Sequence, residues 1–247
     1  MNIDPFDRVR RLRAAKTKAN LGAGVDRQRV PPGQWVTERW PVLHYGPVPE
    51  VDLDTWDFQV FGLVDEAPSR PDLPSRPPFR EVRRDGKSPP FREVRRDGAS
   101  EETLRLTYAQ FMALPKVQVK ADIHCVTRWT LLDSVWEGVA FKELMKLIRP
   151  KPEARFVLVH CEYGFTTNLP LDVLLDDDVL FATKRNGEDL TPEHGWPLRL
   201  IVPKKYFWKS AKWVRGLEFL AQDRLGFWEQ AGYHNNADPW KEERFAD

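Results

Sequence analysis

Cys125 sits in the run HCVTRW at 124–129, beside His124 and three residues before Arg128. A thiol among cationic and polarisable neighbours is favoured as thiolate, which is both a nucleophile and a soft metal ligand. The same residue also reads as a small buried apolar group, and on spacing alone that packing role is the better reading. A second cluster, HGWPLRLIVP at 194–203 followed by KSAKW at 209–213, surrounds a strand and the turn after it with a His, an Arg, a Ser and lysines. That is an inventory for holding a phosphate through charge-assisted hydrogen bonds and backbone N–H groups, although a solvated strand edge would carry the same letters. A third run, EYGFTTNLP at 162–170, offers hydroxyls and an amide beside Gly164, either as a polar pocket wall or as a plain turn. No Ser-His-Asp arrangement, paired-carboxylate motif or His-Glu-x-x-His spacing accompanies them. A nucleophilic pair of Cys125 with His124 is disfavoured, because adjacent residues of a strand point to opposite faces.

The elements that must position these groups are short. Asp57 to Val64 alternates as a strand does. Thr107 with Gln110 three residues on has the form of a capping box, opening a short helix through Phe111 and Met112 that Pro115 follows. Val117, Val119, Ala121 and Ile123 alternate with polar residues in a strand that delivers His124 and Cys125 at its end. Phe141, Leu144, Met145 and Ile148 have helical spacing, which predicts an amphipathic helix stopped by Pro150. Further strands are expected at 155–160, 179–183, 198–202 and 213–219. Strands of mixed order with a few short helices make the chain α+β. No Gly-rich phosphate loop follows a strand, so neither a dinucleotide fingerprint nor a P-loop is present.

Across 247 residues, 38 Lys and Arg nearly balance 37 Asp and Glu, leaving no whole-molecule field to draw in nucleic acid or a membrane surface. No apolar run approaches the roughly 18 residues of a membrane span. With only Cys125 and Cys161, four-thiolate zinc, iron–sulfur clusters and Cys-x-x-Cys-His haem attachment are excluded. Residues 1–30 hold eight basic residues against three acidic ones and read as a basic, flexible arm without aromatic interleaving. Arg10, Arg11 and Arg13 lead into Ala14, Ala15 and Lys16, not into the apolar stretch of an export signal, so a cytoplasmic location with reduced thiols is expected. Residues 31–247 are read as one domain. Within it PPFREVRRDGKS at 77–88 recurs as PPFREVRRDGAS at 89–100, 11 of 12 positions being the same. Two copies are too short and too few for a solenoid, so 77–100 reads as a loop insertion.

The clusters in this order resemble the sulfite oxidase-like molybdopterin oxidoreductases, especially the short bacterial members without haem or dimerisation domains, and more distantly the molybdenum-dependent methionine-sulfoxide reductase catalytic subunit. The resemblance runs from about Val30 to Trp240 and rests on VLHYGPVP (42–49), Trp56 to Gly62, DIHCVTRW (122–129), WEGVAF (136–141), TTNLPL (166–171), NGEDL (186–190), HGWPLRLIVP and KSAKWVRGLEF. It implies a β-rich molybdopterin-binding fold and one molybdenum on molybdopterin. It also implies two-electron oxygen-atom transfer on a small or sulfur-containing substrate, with electrons exchanged with a separate haem or flavin partner. By resemblance, Cys125 matches the cysteine whose sulfur binds molybdenum. His194, Arg199, Ser210, Ala211 and Lys212 match positions holding the pterin and its phosphate, and His44 and Tyr45 match the loop that covers the cofactor. Cys161 falls near a cofactor-contacting threonine of a related enzyme, with burial in a strand the equal alternative. Arg128 is the nearest match to a substrate-pocket arginine, at a different offset, and Asp189 replaces the usual proline. The rival reading is a cofactor-free binding module of the same fold, its basic loops meeting an acidic partner or nucleic acid.

Overall fold

In the computed structural model, residues 24–66 and 104–246 are described, together with residues 4, 6, 7, 10 and 11. Most of the basic arm and the whole duplicated stretch at 77–100 lie outside the described residues. The first half of the chain forms β1 (Trp35–Val36), β2 (Asp57–Gly62), β3 (Val64–Glu66), β4 (Leu104–Thr107), α1 (Tyr108–Met112), β5 (Lys116–His124), β6 (Trp129–Ala140) and α2 (Phe141–Leu144). It continues with β7 (Ile148–Pro150), β8 (Phe156–Cys161), β9 (Thr166–Pro170), α3 (Leu171–Leu174), β10 (Leu180–Arg185), β11 (Glu188–Asp189), β12 (Arg199–Ile201), β13 (Val214–Leu220) and α4 (Phe227–Gln230). The α+β expectation holds, and every strand anticipated from alternation is present within a residue or two of its expected ends.

Two mixed sheets carry the architecture. One has the order β1-β6-β10-β11, with β5 also on β6 and β12 also on β10; the other runs β4-β2-β13-β8-β9. The β1–β6 and β2–β13 pairs are parallel, and the other pairs in both sheets are antiparallel. Their inner faces meet in an apolar core in which Phe58 of β2 lies edge-on to Phe181 of β10 at 5.5 Å, joining the sheets. Thr107 and Gln110 form the anticipated capping box at α1.

Two expectations change. The strand expected over Asp57 to Val64 breaks after Gly62, whose φ of +94° is open to glycine and where a Cβ would collide with the Phe219 carbonyl. The helix expected to run to Ile148 ends at Leu144, and Ile148–Pro150 pairs with Val64–Glu66 as a separate small sheet. Phe141, Leu144 and Ile148 are all buried, so helical spacing correctly marked the core positions. The backbone changes course because a tight turn, Leu147 N–H to Leu144 O at 2.9 Å, hands residues 148–150 to a strand partner.

A second, aromatic cluster packs Trp129, Trp136, Phe207, Trp208, Trp228 and Tyr233 around Cys125. Below it an ion pair is sealed from solvent, with Lys209 Nζ 2.7 Å from Glu229 and each side chain 1% exposed. Lys209 also donates to the Asn168 carbonyl at 2.8 Å and to its side-chain oxygen at 3.0 Å, while Trp208 Nε1 donates to Glu229 at 2.8 Å. Burial pushes the Lys209 ammonium below its usual pKa, opposed by the charge and hydrogen bond of Glu229. The pair therefore ties β9, α4 and the segment before β13 into one unit. Glu229→Leu, which strands the ammonium, should cost about 3–5 kcal/mol and lower the melting temperature by roughly 10 °C. Lys209→Met with Glu229→Leu should lose much less, and a thermal-melting cycle of the two single variants and the double variant reads the difference.

Candidate functional site

β5 ends at His124 and β6 begins at Trp129, so Cys125 to Arg128 form the turn between two paired strands. Its backbone is braced from several sides. Cys125 N–H donates to Trp129 O and Arg128 N–H to Cys125 O, both at 2.9 Å. Buried Gln34 donates to Cys125 O at 3.1 Å, Arg244 to Val126 O at 3.3 Å, and Trp35 N–H to Arg128 O at 2.8 Å. The turn presents the buried Cys125 side chain and the half-buried Thr127 to a cavity of about 430 Å³. Thr127 Oγ1 donates to Cys125 Sγ at 3.2 Å.

Strand alternation sends His124 the other way, where its Nδ1 lies 2.9 Å from Thr130 Oγ1 and its ring meets Trp240 edge-on. Burial pushes this imidazole down to about 4, so it is neutral at pH 7 and does not pair with the thiol. Arg128, expected in the substrate pocket, does not line the cavity. It has a φ of +74°, and its guanidinium points toward Gly33 and the charge of Arg244. The left-handed backbone at the end of the turn aims this side chain outward, which an offset in sequence does not reveal.

Across the cavity, β12 contributes Arg199. Its side chain is buried, with the guanidinium carbon 4.0 Å from the centroid of Phe207 and 5.5 Å from that of Trp40. One nitrogen donates to His194 O at 2.8 Å, while Nε has no hydrogen-bond partner. Burial lowers this guanidinium to about 9, and the Cys125 and Cys161 thiols pull in the opposite direction. No carboxylate pairs with it among the described residues.

His194 stacks on Trp40 with ring centroids 3.8 Å apart, Nδ1 lies 3.0 Å from Thr191 Oγ1, and Nε2 is enclosed. Burial, then the charges of Arg199 and Lys212, push it to about 4. Gly195, at a φ of +115°, lets the 192–195 turn close on the antiparallel bridge between Arg199 and Lys212; a Cβ there would lie 3.2 Å from the Cβ atoms of both. Ser210 Oγ accepts from Val202 N–H at 2.9 Å and Ala211 O from Leu200 N–H at 2.9 Å, holding both residues at the cavity wall. Lys212 Nζ donates to Leu43 O at 2.7 Å and to Glu193 O at 2.5 Å.

Leu43, His44 and Tyr45 line the cavity. His44 Nδ1 lies 2.9 Å from Gly46 O, and Tyr45 packs on Phe227 and Trp228 at 5.2 and 5.9 Å. Of the two readings of Cys161, the structure shows burial in a strand. It is fully buried in the core between the sheets at the end of β8, and burial raises its thiol well above the usual range. Its neighbour Glu162 faces the cavity instead, held by Arg215 at 2.5 Å. The run at 162–170, read as a pocket wall or a plain turn, does line the cavity through Glu162 to Phe165, whereas sequence reasoning missed Gln34, Trp40 and Phe207 and gave Thr127 no role of its own. The richness in Trp around residues 35–40 was the one available hint, and it carries no spacing rule.

A family model described as the oxidoreductase molybdopterin binding domain matches residues 89–228. YuiH, an oxidoreductase of Bacillus subtilis, is 42% identical over 218 residues, which cover 88% of this chain and 92% of YuiH. This chain belongs to the molybdopterin-binding oxidoreductase family. Within that sulfite oxidase-like group, the protein-methionine-sulfoxide reductase catalytic subunit MsrP of Campylobacter jejuni is 25% identical over 56% of this chain and 54% of its own length. A nitrate reductase of Lotus japonicus is 27% identical over 70% of this chain and 19% of its own length. Among solved structures, the sulfane dehydrogenase SoxCD of Paracoccus pantotrophus superposes with a TM-score of 0.53 at 19% identity, covering 72% of this chain and 41% of that one, which supports the fold. The protein is thus a molybdopterin oxidoreductase, with molybdenum-molybdopterin as its cofactor.

The residues present fit that group. A soft thiol and a buried guanidinium with no carboxylate partner among the described residues border one cavity, as an anionic, sulfur-rich ligand requires. In this molybdopterin oxidoreductase the buried charge of Arg199 has no carboxylate to offset it among the described residues, and an anionic ligand facing it would remove that cost. Arg199→Met should therefore melt higher than the parent when both lack cofactor, and lower when both are loaded. Melting curves of protein from hosts with and without molybdopterin synthesis provide the comparison; the same sign in both states would show that Arg199 does not face the cofactor.

Proposed function

We propose that this enzyme carries out two-electron oxygen-atom transfer on a small or sulfur-containing substrate, with Cys125 binding the metal and electrons exchanged with a separate haem or flavin partner. The observation that carries this reading is that Cys125 and Arg199, a buried cation with no carboxylate partner among the described residues, line the same cavity. Bound molybdenum supplies a centre that gains or loses two electrons as oxygen is exchanged with substrate.

The chain's own groups have separable tasks. Cys125 donates a soft sulfur. Arg199, Lys212, His194, Ser210 and the backbone at Ala211 hold the pterin and its phosphate by charge and hydrogen bonds worth roughly 1.5–3 kcal/mol for each charged contact. Lys212 is bonded to Leu43 O, so it also fastens the covering segment with His44 and Tyr45. That segment and the aromatic wall of Tyr45, Phe165, Phe227, Trp228 and Tyr233 exclude water from the reacting end of the cavity. An aromatic wall of this kind favours an apolar, polarisable substrate such as a sulfur compound. Relatives named for methionine sulfoxide and nitrate act on oxygen-bearing substrates, in keeping with oxygen transfer.

The binding-module alternative gains no support, because a cofactor-free scaffold has no use for a buried cation without an anion. We also propose that residues 31–247 act as one domain behind the basic arm at 1–30. The described residues contain no helix long and apolar enough to cross a membrane. A cytoplasmic setting suits two free cysteines.

Protein made in a host that synthesises molybdopterin should contain stoichiometric molybdenum and release pterin on denaturation. Cys125→Ser should stay folded, keep much of its pterin through the phosphate contacts and lose nearly all turnover, whereas Cys161→Ser should keep activity. Protein free of both metal and pterin from such a host, or full turnover in Cys125→Ser, would overturn the proposal.

A further inference from the structure

We propose that the Thr127 hydroxyl is a positioning residue that sets the reduction potential of the metal by hydrogen bonding the sulfur of Cys125. The inference deepens the functional reading above and rests on Cys125 being the metal's ligand. Thr127 lines the cavity beside Cys125, and its Oγ1 donates to Cys125 Sγ at 3.2 Å, within range for a sulfur acceptor. No other acceptor competes for this hydroxyl among the described residues.

The geometry is held from outside the pair. Both ends of the turn are bonded, and the carbonyls of Cys125, Val126 and Arg128 are engaged by Gln34, Arg244 and Trp35. A β-branched residue on such a fixed backbone has a stiff χ1, so the hydroxyl stays aimed at the sulfur. His124 faces away and Arg128 is turned out of the cavity, whereas the Thr127 hydroxyl of the same turn reaches the sulfur.

A hydrogen bond to a ligating thiolate withdraws electron density from sulfur and weakens its donation to the metal. The oxidised, more positive metal loses more by this than the reduced one, so the bond raises the potential. Replacing threonine by valine keeps the branched shape and removes the donor. Replacing it by serine keeps the donor and removes the methyl group.

The test is a potentiometric titration of the molybdenum-loaded enzyme, followed by Mo(V) paramagnetic resonance and by the sulfur-to-metal absorption bands, for the parent, Thr127→Val, Thr127→Ser and Cys125→Ser. Thr127→Val should lower the ratio of reduced to oxidised metal at a fixed poise by roughly two- to ten-fold, the equilibrium equivalent of one hydrogen bond. Its sulfur-to-metal bands should move to lower energy, and Thr127→Ser should restore both readouts. A folded, loaded Thr127→Val with the parent's potential and bands would overturn the inference while leaving the function intact, provided Cys125→Ser changes the spectrum. If Cys125→Ser leaves the spectrum unchanged, the ligand assignment itself fails and the inference falls with it.

Discussion

The guanidinium of Arg199 keeps its charge at neutral pH while buried against Phe207 and Trp40, with no carboxylate among the described residues to offset it. A buried charge without an opposite charge costs several kcal/mol, offset here only in part by the hydrogen bond to His194 O and the two aromatic faces. The rest of the site is arranged around that debt. β12 carries Arg199 into the wall, Gly195 lets the preceding turn close over it, and the bridge to Lys212 brings a second cation to the same edge. Cys125 lies on the turn between β5 and β6 and lines the same cavity, which is the basis for proposing it as the soft ligand of the metal and Arg199 as the partner of the cofactor's anionic part.

The buried ion pair of Lys209 with Glu229 solves a different problem on nearby sequence. KSAKW contains two lysines three residues apart, and they do unlike work. Lys209 is locked beneath the cavity by Glu229 and Asn168, whereas Lys212 reaches the covering segment through Leu43. The Lys209 side is thereby fixed by protein contacts alone, while the Arg199 side has no carboxylate among the described residues. Stability and ligand affinity are in this way assigned to neighbouring residues with opposite electrostatic logic.

Much of the scaffold was legible because alternation is a local property. Val117 to Ile123 reads as a strand with no knowledge of its partner, and it places Cys125 and His124 on opposite faces as the structure does. The capping box at Thr107 was legible for the same reason. What escaped depended on backbone sign or on distant packing. Arg128 turns outward through a positive φ, Phe141 to Ile148 leaves the helix because Val64–Glu66 offers a strand partner, and Cys161 is drawn into the core between the sheets. Trp40 stacks on His194 from more than 150 residues away in sequence, a contact no spacing rule encodes.

Molybdenum K-edge X-ray absorption of the loaded enzyme tests the central claim most directly, since it counts the sulfur neighbours of the metal without reference to turnover. Binding by Cys125 predicts one more sulfur neighbour than the pterin dithiolene supplies, and the loss of that one neighbour in Cys125→Ser with the pterin still bound. An identical sulfur count in parent and variant would contradict the account by removing Cys125 from the metal.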